Sequence, residues 1–324
     1  MKDKTRDKIS KYISKNKQST ASELVDYLGI SRQALFKHHL SKMLSEGLLT
    51  KIGTPPKVFY MLKENKEKQN VDLGKDATKY INDNYLIITP RGEKLDGLDG
   101  FIFWCEKNNL PIQKTAGEYI KTNKKYQAYN KGRLIDGIVK FKSSFDKVYL
   151  DKIYYFDFYS IERFGKTKLG QMLLYGKQSG NRQLIKDIVE MVKPALDKLL
   201  SRYDFDAVAY IPWTVKREVQ FMKLLQKQFN LPLKVIQIDK VRTEIIVPQK
   251  TLSKIADRII NAAQTLVARE NQQYGTVLLI DDAVGSGATL NEVAHQLKEK
   301  RIAKKVIGLA ITGSFKGFDV ISEV

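Results

Sequence analysis

The sequence predicts an α/β domain with a parallel sheet and flanking helices, preceded by a smaller α+β domain. From residue 180 onward, helical patterns alternate with short, continuous apolar runs, as expected for strands buried on both faces. Residues 1–62 show a different order, with three helical patterns followed by two short β-prone runs. The chain is therefore expected to contain at least two domains.

Residues 1–62 are predicted to form three helices and a hairpin. The apolar residues Ile9 and Ile13 repeat at helical spacing, and the second helix is bounded by a Thr20 cap and by Gly29. Ser31 is a suitable N-cap for the third helix. The runs 48–52 and 58–62 then flank a Gly-Thr-Pro-Pro turn. Three helices followed by such a hairpin indicate a winged helix.

The next two segments separate this domain from the α/β domain. Residues 63–70, KENKEKQN, are polar and charged, which is typical of a linker. Residues 71–150 carry no motif and stay an unassigned middle region, although a strand at 85–89 and a helix over 114–130 are expected there. Residues 151–324 make up the predicted α/β domain.

Within the α/β domain, four strands and four helices are predicted. The strands are residues 207–211, 234–238, 277–280 and 305–311. The helices are residues 183–201, 215–229, 252–269 and 289–299.

Composition narrows the function classes. Lys and Arg number 56 against 36 Asp and Glu, and residues 1–75 alone hold 16 basic and 8 acidic side chains. Such an excess attracts polyanions, so nucleic acid is the first partner to consider. The single cysteine, Cys105, excludes an internal disulfide and a cysteine-rich zinc site. Because no stretch has the ~20 apolar residues that span a bilayer, we expect no membrane partner and a cytoplasmic location.

The segment from Thr20 to Leu49 has the spacing of a helix-turn-helix, whose second helix enters the DNA major groove. Side chains on that helix that point away from its apolar stripe are candidates for base contacts: Arg32, Gln33, Phe36 and Lys37. Lys51 and Lys57 flank the hairpin turn and suit the sugar-phosphate backbone. The segment resembles the winged-helix domain of bacterial transcription regulators. This resemblance implies double-stranded DNA as a partner and a homodimer that reads two half-sites, although similar domains also dock proteins.

The run VLLIDDAVGSGATLNEV is the most specific motif in the chain. A buried strand ends in Asp281 and Asp282, a loop of mostly small residues follows, and a helix begins at its end. Backbone amides of such a loop, together with the helix N-terminus, form a donor-rich site for a phosphate. The predicted 5-phosphate loop comprises Ala283, Val284, Gly285, Ser286, Gly287, Ala288 and Thr289.

The two acids in this motif have a different expected role. Carboxylates repel a phosphate but accept hydrogen bonds from the hydroxyls of an attached ribose, so Asp281 and Asp282 are candidate ribose ligands. The alternative is a solvated turn whose acids only cap the helix. The motif lacks the lysine of the nucleotide-triphosphate P-loop and the three-glycine spacing of a dinucleotide site. The sequence therefore disfavours hydrolysis of a nucleotide triphosphate and binding of a dinucleotide.

With these residues, the chain resembles the type I phosphoribosyltransferases, and within them the ComF-like branch, over about residues 153–315. The resemblance implies a parallel α/β fold that binds phosphoribosyl pyrophosphate with Mg²⁺. It also implies a pyrophosphate loop at Pro212, Trp213, Thr214, Lys216 and Arg217, and a flexible loop containing Arg242, Gln249 and Arg258. Two features depart from the branch: there is no cysteine zinc ribbon, and Glu218 and Val219 follow Arg217 where the branch has Arg-Gly-Phe-Asn-Gln.

Three functions are compatible with this sequence. The first is a DNA-binding regulator that senses phosphoribosyl pyrophosphate or a nucleotide. The second is an active Mg²⁺-dependent phosphoribosyltransferase of nucleotide metabolism or salvage, with an accessory winged helix. The third, a DNA-uptake or repair accessory protein, follows only from the ComF-like resemblance.

Overall fold

A computed structural model of the chain describes residues 4–53, 55–63, 71–213, 217–241, 244, 245, 247 and 249–314. Three predicted site residues, Thr214, Lys216 and Arg242, lie outside the described residues. The chain folds into two compact units, residues 1–71 and 72–324. Among the described helices, none combines the length and the apolarity needed to cross a bilayer.

The first unit contains helices followed by a two-stranded antiparallel sheet. Its elements are α1 (Lys4–Asn16), α2 (Ala21–Leu28), α3 (Arg32–Ala34), a π-helix (Leu35–Leu40), α4 (Ser41–Ser45), β1 (Leu49–Ile52) and β2 (Phe59–Leu62). Thr20 and Glu23 form a reciprocal capping box at the start of α2, and Gly29 ends it in a left-handed conformation. The buried core of this unit includes Ile9, Leu24 and Tyr60.

The π-helix explains how the third helix buries its apolar side chains. Leu35 and Leu40 are both fully buried although they lie five residues apart. In a regular α-helix, side chains five positions apart diverge by about 140°. The wider π turn brings both onto the core-facing side, and π turns of this kind are often found at functional sites.

The second unit begins with helices that surround a short antiparallel pair of strands. These elements are α5 (Lys75–Asn84), β3 (Leu86–Ile88), β4 (Lys94–Asp96), α6 (Gly97–Lys107) and α7 (Ile112–Gln127). Their aromatic side chains, including Phe101 and Tyr119, belong to the same core as one face of the main sheet. Cys105 is buried in that core, and burial raises the pKa of its thiol to about 11. It is therefore a packing residue.

The remaining elements form a seven-stranded sheet covered by helices. The strands are β5 (Ile135–Asp136), β6 (Lys152–Phe158), β7 (Ala207–Tyr210), β8 (Lys234–Lys240), β9 (Leu266–Arg269), β10 (Tyr274–Val284) and β11 (Ala303–Gly313). The helices are α8 (Ile138–Ser144), α9 (Lys168–Ser179), α10 (Arg182–Leu200), α11 (Phe221–Phe229), α12 (Ile255–Thr265) and α13 (Ala288–Glu299). The strand order is β5-β6-β11-β10-β7-β8-β9.

This sheet confirms the predicted α/β class with flanking helices. Strands β6, β11, β10, β7 and β8 are parallel, and β10 lies at the centre of the sheet. Side chains of β10 alternate between two apolar cores: Leu279 packs on the side of α12 and α13, and Leu278 and Ile280 pack on the side of α9, α10 and α11. The carboxyl ends of the parallel strands therefore meet at one edge, where ligands bind in open α/β sheets.

The edge strands β5 and β9, which the sequence does not predict, are antiparallel to their neighbours. Two helix predictions within this domain need correction. The helix predicted over 252–269 ends at Thr265, since residues 266–269 pair with β8 as strand β9. Of the helix predicted over 215–229, residues 217–220 are not helical and Phe221–Phe229 are, while residues 215 and 216 lie outside the described residues. In these places strand pairing and turn geometry outweigh the local helical pattern.

Candidate functional site

The predicted phosphate loop lies at the carboxyl edge of the central strand. Strand β10 runs to Val284, residues 285–287 turn, and α13 begins at Ala288. Gly287 occupies the N-cap position with φ +83°, a left-handed conformation that favours glycine. The turn is anchored to β11 because the Ser314 amide donates to the Val284 carbonyl at 2.9 Å.

The amides of this turn remain available for a ligand. The first hydrogen bond within α13 runs from the Asn291 amide to the Gly287 carbonyl. Within the part of the chain that the structure describes, four amides of this turn have no acceptor: those of Ser286, Gly287, Thr289 and Leu290. The Ala288 amide has only a long contact of 3.4 Å to the Ser286 hydroxyl. Unpaired amides at a helix N-terminus are the donors that an anion requires.

The two acids before the loop occupy different environments. Loss of hydration, and then the neighbouring Asp282 carboxylate, raise the pKa of Asp281 to about 8. The Asp282 side chain instead forms an ion pair with Lys177 of α9, with 2.5 Å between Nζ and Oδ2. Burial therefore favours the protonated form of Asp281, which can donate a hydrogen bond as well as accept one, whereas the Asp282 carboxylate accepts only.

An aromatic side chain closes one side of the turn. A Cβ atom added at Gly287 would lie 2.2 Å from Cζ of Phe141, a buried residue of α8. The neighbouring Lys140 donates from Nζ to the Ser314 carbonyl. Residues from the unassigned middle region thus pack directly on the predicted phosphate loop.

The predicted pyrophosphate segment follows β7, the neighbour of β10. The Ile211 amide donates to the Ile280 carbonyl at 2.8 Å, which fixes the start of this segment beside Asp281. Pro212 and Trp213 are half-buried, and Lys223 Nζ lies 4.7 Å from the centroid of the Trp213 ring. The Arg217 side chain is exposed and donates to the Gln178 carbonyl of α9. The basic side chains of Lys223 and Arg217 therefore lie near the end of β7, where a diphosphate would need positive charge.

A cavity of about 1130 Å³ adjoins the same segment. Its walls include Pro212, Trp213 and Lys240, the last residue of β8. Burial lowers the pKa of Lys240, whose Nζ donates to the Thr265 hydroxyl. This lysine is half-buried and faces the cavity, so it is an additional cation close to the predicted pyrophosphate segment.

Two residues of the predicted flexible loop hold each other in place. The Gln249 side chain donates to the Arg258 carbonyl and to the Asn261 side chain. The Arg258 guanidinium is buried and donates to the Leu252 carbonyl at 2.8 Å. Both side chains are thus engaged in local structure.

In the first unit, all candidate DNA-contacting residues except Phe36 are exposed. Arg32, Gln33 and Lys37 are exposed on the third helix, and Lys51 and Lys57 are exposed at the hairpin. Phe36 is half-buried, with its ring centroid 6.3 Å from that of Tyr60. The guanidinium of Arg32 lies over the Phe36 ring at 5.9 Å. Phe36 thus supports the helix and positions Arg32.

The sequence alone does not indicate a site role for Lys177, Phe141 or Lys240. Lys177 lies about a hundred positions before Asp282, and only the packing of α9 on the sheet brings the two together. Lys177 lies within residues 153–315, for which the resemblance to the ComF-like branch is a prediction from the sequence, and no other signal in the sequence points to it. Nothing in the local sequence around Phe141 or Lys240 indicates their contacts.

Several solved structures are similar to this chain, while no family model and no curated protein matches the sequence. A hypoxanthine phosphoribosyltransferase from Staphylococcus aureus is 15% identical with a TM-score of 0.25, over 41% of this chain and 67% of that chain. The Trypanosoma cruzi hypoxanthine enzyme is 18% identical with a TM-score of 0.27, over 43% and 67%. An adenine phosphoribosyltransferase from Thermoanaerobacter pseudethanolicus is 14% identical with a TM-score of 0.25, over 41% and 83%. At these TM-scores the similarities do not assign a family, and the site is defined by the geometry at the end of β10.

Proposed function

We propose that the second unit binds the 5-phosphate and ribose of phosphoribosyl pyrophosphate or of a nucleotide. We further propose that the first unit binds double-stranded DNA, so that the chain is a ligand-sensing DNA-binding regulator. The observation that carries the ligand proposal is the set of unpaired amides at residues 286, 287, 289 and 290, at the N-terminus of α13. A phosphate dianion would receive their hydrogen bonds and lie at the positive end of the helix dipole.

The acids beside the loop suit a sugar attached to that phosphate. Asp282 would accept hydrogen bonds from ribose hydroxyls while its ion pair with Lys177 holds the carboxylate in place. Asp281, in the protonated form that burial favours, would donate to one ribose oxygen and accept from another. Lys240, Lys216 and Arg217 would supply positive charge for a diphosphate leaving group on the β7 side.

Mg²⁺ fits this arrangement as a partner of the ligand. The described residues contain no group of three or more acids, histidines or cysteines that could hold a metal ion. Mg²⁺ commonly binds through one or two carboxylates together with substrate phosphates. The Asp282 carboxylate is the group that would contribute, and the ion would neutralise charge on the diphosphate.

The ligand proposal is tested by isothermal titration of phosphoribosyl pyrophosphate with Mg²⁺. We expect the unmodified protein to bind and the double variant Asp281→Asn plus Asp282→Asn to lose at least tenfold in affinity, about 1.4 kcal/mol. Asp206→Asn is the matched control, because this exposed acid caps the Thr276 amide at the opposite edge of the sheet. No binding by the unmodified protein would remove both the sensing and the transferase functions.

Catalysis is the second candidate activity, and a turnover assay distinguishes it from ligand sensing. Continuous release of pyrophosphate with a nucleobase or ammonia as acceptor would identify a transferase that carries an accessory winged helix. Binding without release supports the sensor. A role in DNA uptake or repair would be indicated by tight single-strand binding that does not respond to the ligand.

DNA binding is tested through its dependence on salt. Each lysine that contacts a phosphate contributes about −0.9 to the slope of log affinity against log salt concentration. We therefore expect Lys37→Ala plus Lys51→Ala to reduce that slope by about 1.8 on a duplex of fixed length, measured by fluorescence anisotropy. Lys79→Ala, an exposed lysine in the second unit, serves as the control for lost charge. An unchanged slope in the double variant would exclude this face as the DNA contact.

A further inference from the structure

Lys177 approaches the two acids before the phosphate loop from a different part of the chain. It lies in the last turn of α9, and its Nζ is 2.5 Å from Oδ2 of Asp282. Burial and the Asp282 charge raise the pKa of Asp281, while the Lys177 charge acts in the opposite direction. The ammonium group is therefore within electrostatic reach of both acids.

The end of α9 is held against the segment that follows β7. Gly180 ends the helix with φ +63°, and an added Cβ there would lie 2.7 Å from Cβ of Val219. The Arg217 guanidinium donates to the Gln178 carbonyl at 3.1 Å. These contacts fix the helical turn that carries Lys177, so tertiary packing sets the position of its side chain beside the acids.

The ion pair is partly shielded from solvent. The Lys177 side chain is 37% exposed and the Asp282 side chain is 18% exposed. Salt screens a partly buried pair much less than a fully exposed one. We therefore expect the ammonium to stay at this carboxylate at physiological ionic strength.

The ammonium occupies the place that a metal ion would need at Asp282. Mg²⁺ binds oxygen ligands at about 2.0–2.1 Å. A metal ion on Oδ2 would therefore lie close to the Lys177 ammonium, and the two cations would repel each other. Because burial favours the protonated form of Asp281, the two acids offer one full negative charge, which Lys177 already balances.

We propose that Lys177 supplies at Asp282 the positive charge that Mg²⁺ would otherwise provide, so that the site binds ribose 5-phosphate without a metal ion. The proposal rests on the proposed site for ribose and its 5-phosphate. A ligand with a diphosphate on the ribose brings further oxygens for the metal, and only such a ligand would require Mg²⁺. The metal requirement then distinguishes phosphoribosyl pyrophosphate from nucleoside monophosphates at this site.

The test is isothermal titration of ribose 5-phosphate with EDTA and, separately, with Mg²⁺. We expect the unmodified protein to bind equally well under the two conditions. Lys177→Met should lose about tenfold in affinity with EDTA, because Asp282 loses its charged hydrogen bond and its unbalanced charge repels the ligand phosphate. Mg²⁺ should restore most of that loss, since the freed carboxylate can then hold the metal ion.

Three further variants control for other effects of this substitution. Lys177→Arg keeps the positive charge and should bind independently of Mg²⁺. Asp282→Asn has no carboxylate for either cation, so Mg²⁺ should not restore its loss of affinity. Lys168→Met removes another lysine of α9, one that pairs with Asp96, and should bind as the unmodified protein does.

The outcomes distinguish this inference from the proposed function. If the unmodified protein binds ribose 5-phosphate only with Mg²⁺, or if Lys177→Met binds it equally well under both conditions, the ion pair only holds α9 against the sheet. The inference is then wrong and the phosphate site stands. Restoration of Asp282→Asn by Mg²⁺ would contradict the inference even if Lys177→Met failed to fold. If the unmodified protein binds ribose 5-phosphate under neither condition, both proposals fail.

Discussion

Replacing Gly287 with alanine is expected to destabilise the second unit by about 2–5 kcal/mol, the sum of two costs. The first is the left-handed backbone at φ +83°, which costs an alanine about 1–2 kcal/mol. The second is overpacking, because the added Cβ would lie 2.2 Å from Phe141 Cζ. We expect ribose 5-phosphate binding to be lost as well, since relief of this clash must move the turn whose amides face the ligand.

Urea unfolding, monitored by tryptophan fluorescence, measures the stability of the second unit selectively. Both tryptophans, Trp104 and Trp213, belong to the second unit. Gly92→Ala is the matched control, because Gly92 of the second unit has φ +81° and no atom within 4 Å of an added Cβ. It should cost about 1–2 kcal/mol and leave binding intact. Equal losses in the two variants would show that Phe141 does not confine the turn.

The parts of this molecule that the sequence predicts well are those encoded by short, local signals. The strand ending at Asp281 and Asp282, the small-residue turn and the following helix all lie within about twenty positions, and α13 begins one residue before the predicted start. Continuous apolar runs likewise indicate β7 and β11, because both faces of these strands are buried. Local pattern and tertiary packing agree in these places.

The parts that the sequence does not predict depend on pairing between distant segments. Strand β9 continues an amphipathic helical pattern and becomes a strand only because β8 offers an unpaired edge. The contact of Lys177 with Asp282 and that of Phe141 with Gly287 join segments more than a hundred positions apart. The raised pKa of Asp281 also arises from burial, which the motif itself does not reveal.

The stability of the second unit is expected to fall as the pH rises from about 4 to about 8, and Asp281 is the main source. In the unfolded chain an aspartate titrates near a pKa of about 3.9. Burial, reinforced by the neighbouring Asp282 charge, raises the pKa of Asp281 to about 8 in the folded state. Between these values the folded state retains a proton that the unfolded state releases, so the contribution is full below pH 4 and lost above pH 8.

Asp281→Asn should remove this dependence, because an amide has no proton to lose. We expect the variant to be more stable than the unmodified protein at pH 8, by on the order of 2 kcal/mol, and to show a shallower decline with pH. A residual decline should persist from Asp157, whose pKa burial raises to about 7. The measurement is urea unfolding at several pH values, with Asp206→Asn as the control that should keep the original slope.

The same variant distinguishes the roles of the two acids in ligand binding. If Asp281 binds ribose in its neutral form, an asparagine offers the same donor and acceptor, so Asp281→Asn should retain much of the affinity at pH 7. Asp282→Asn should lose more, because it removes the carboxylate that pairs with Lys177. A greater loss in Asp281→Asn, together with an unchanged pH profile of stability, would mean that Asp281 is ionised in the folded protein. Asp281 and Asp282 would then share one negatively charged site, with Lys177 as its counter-ion.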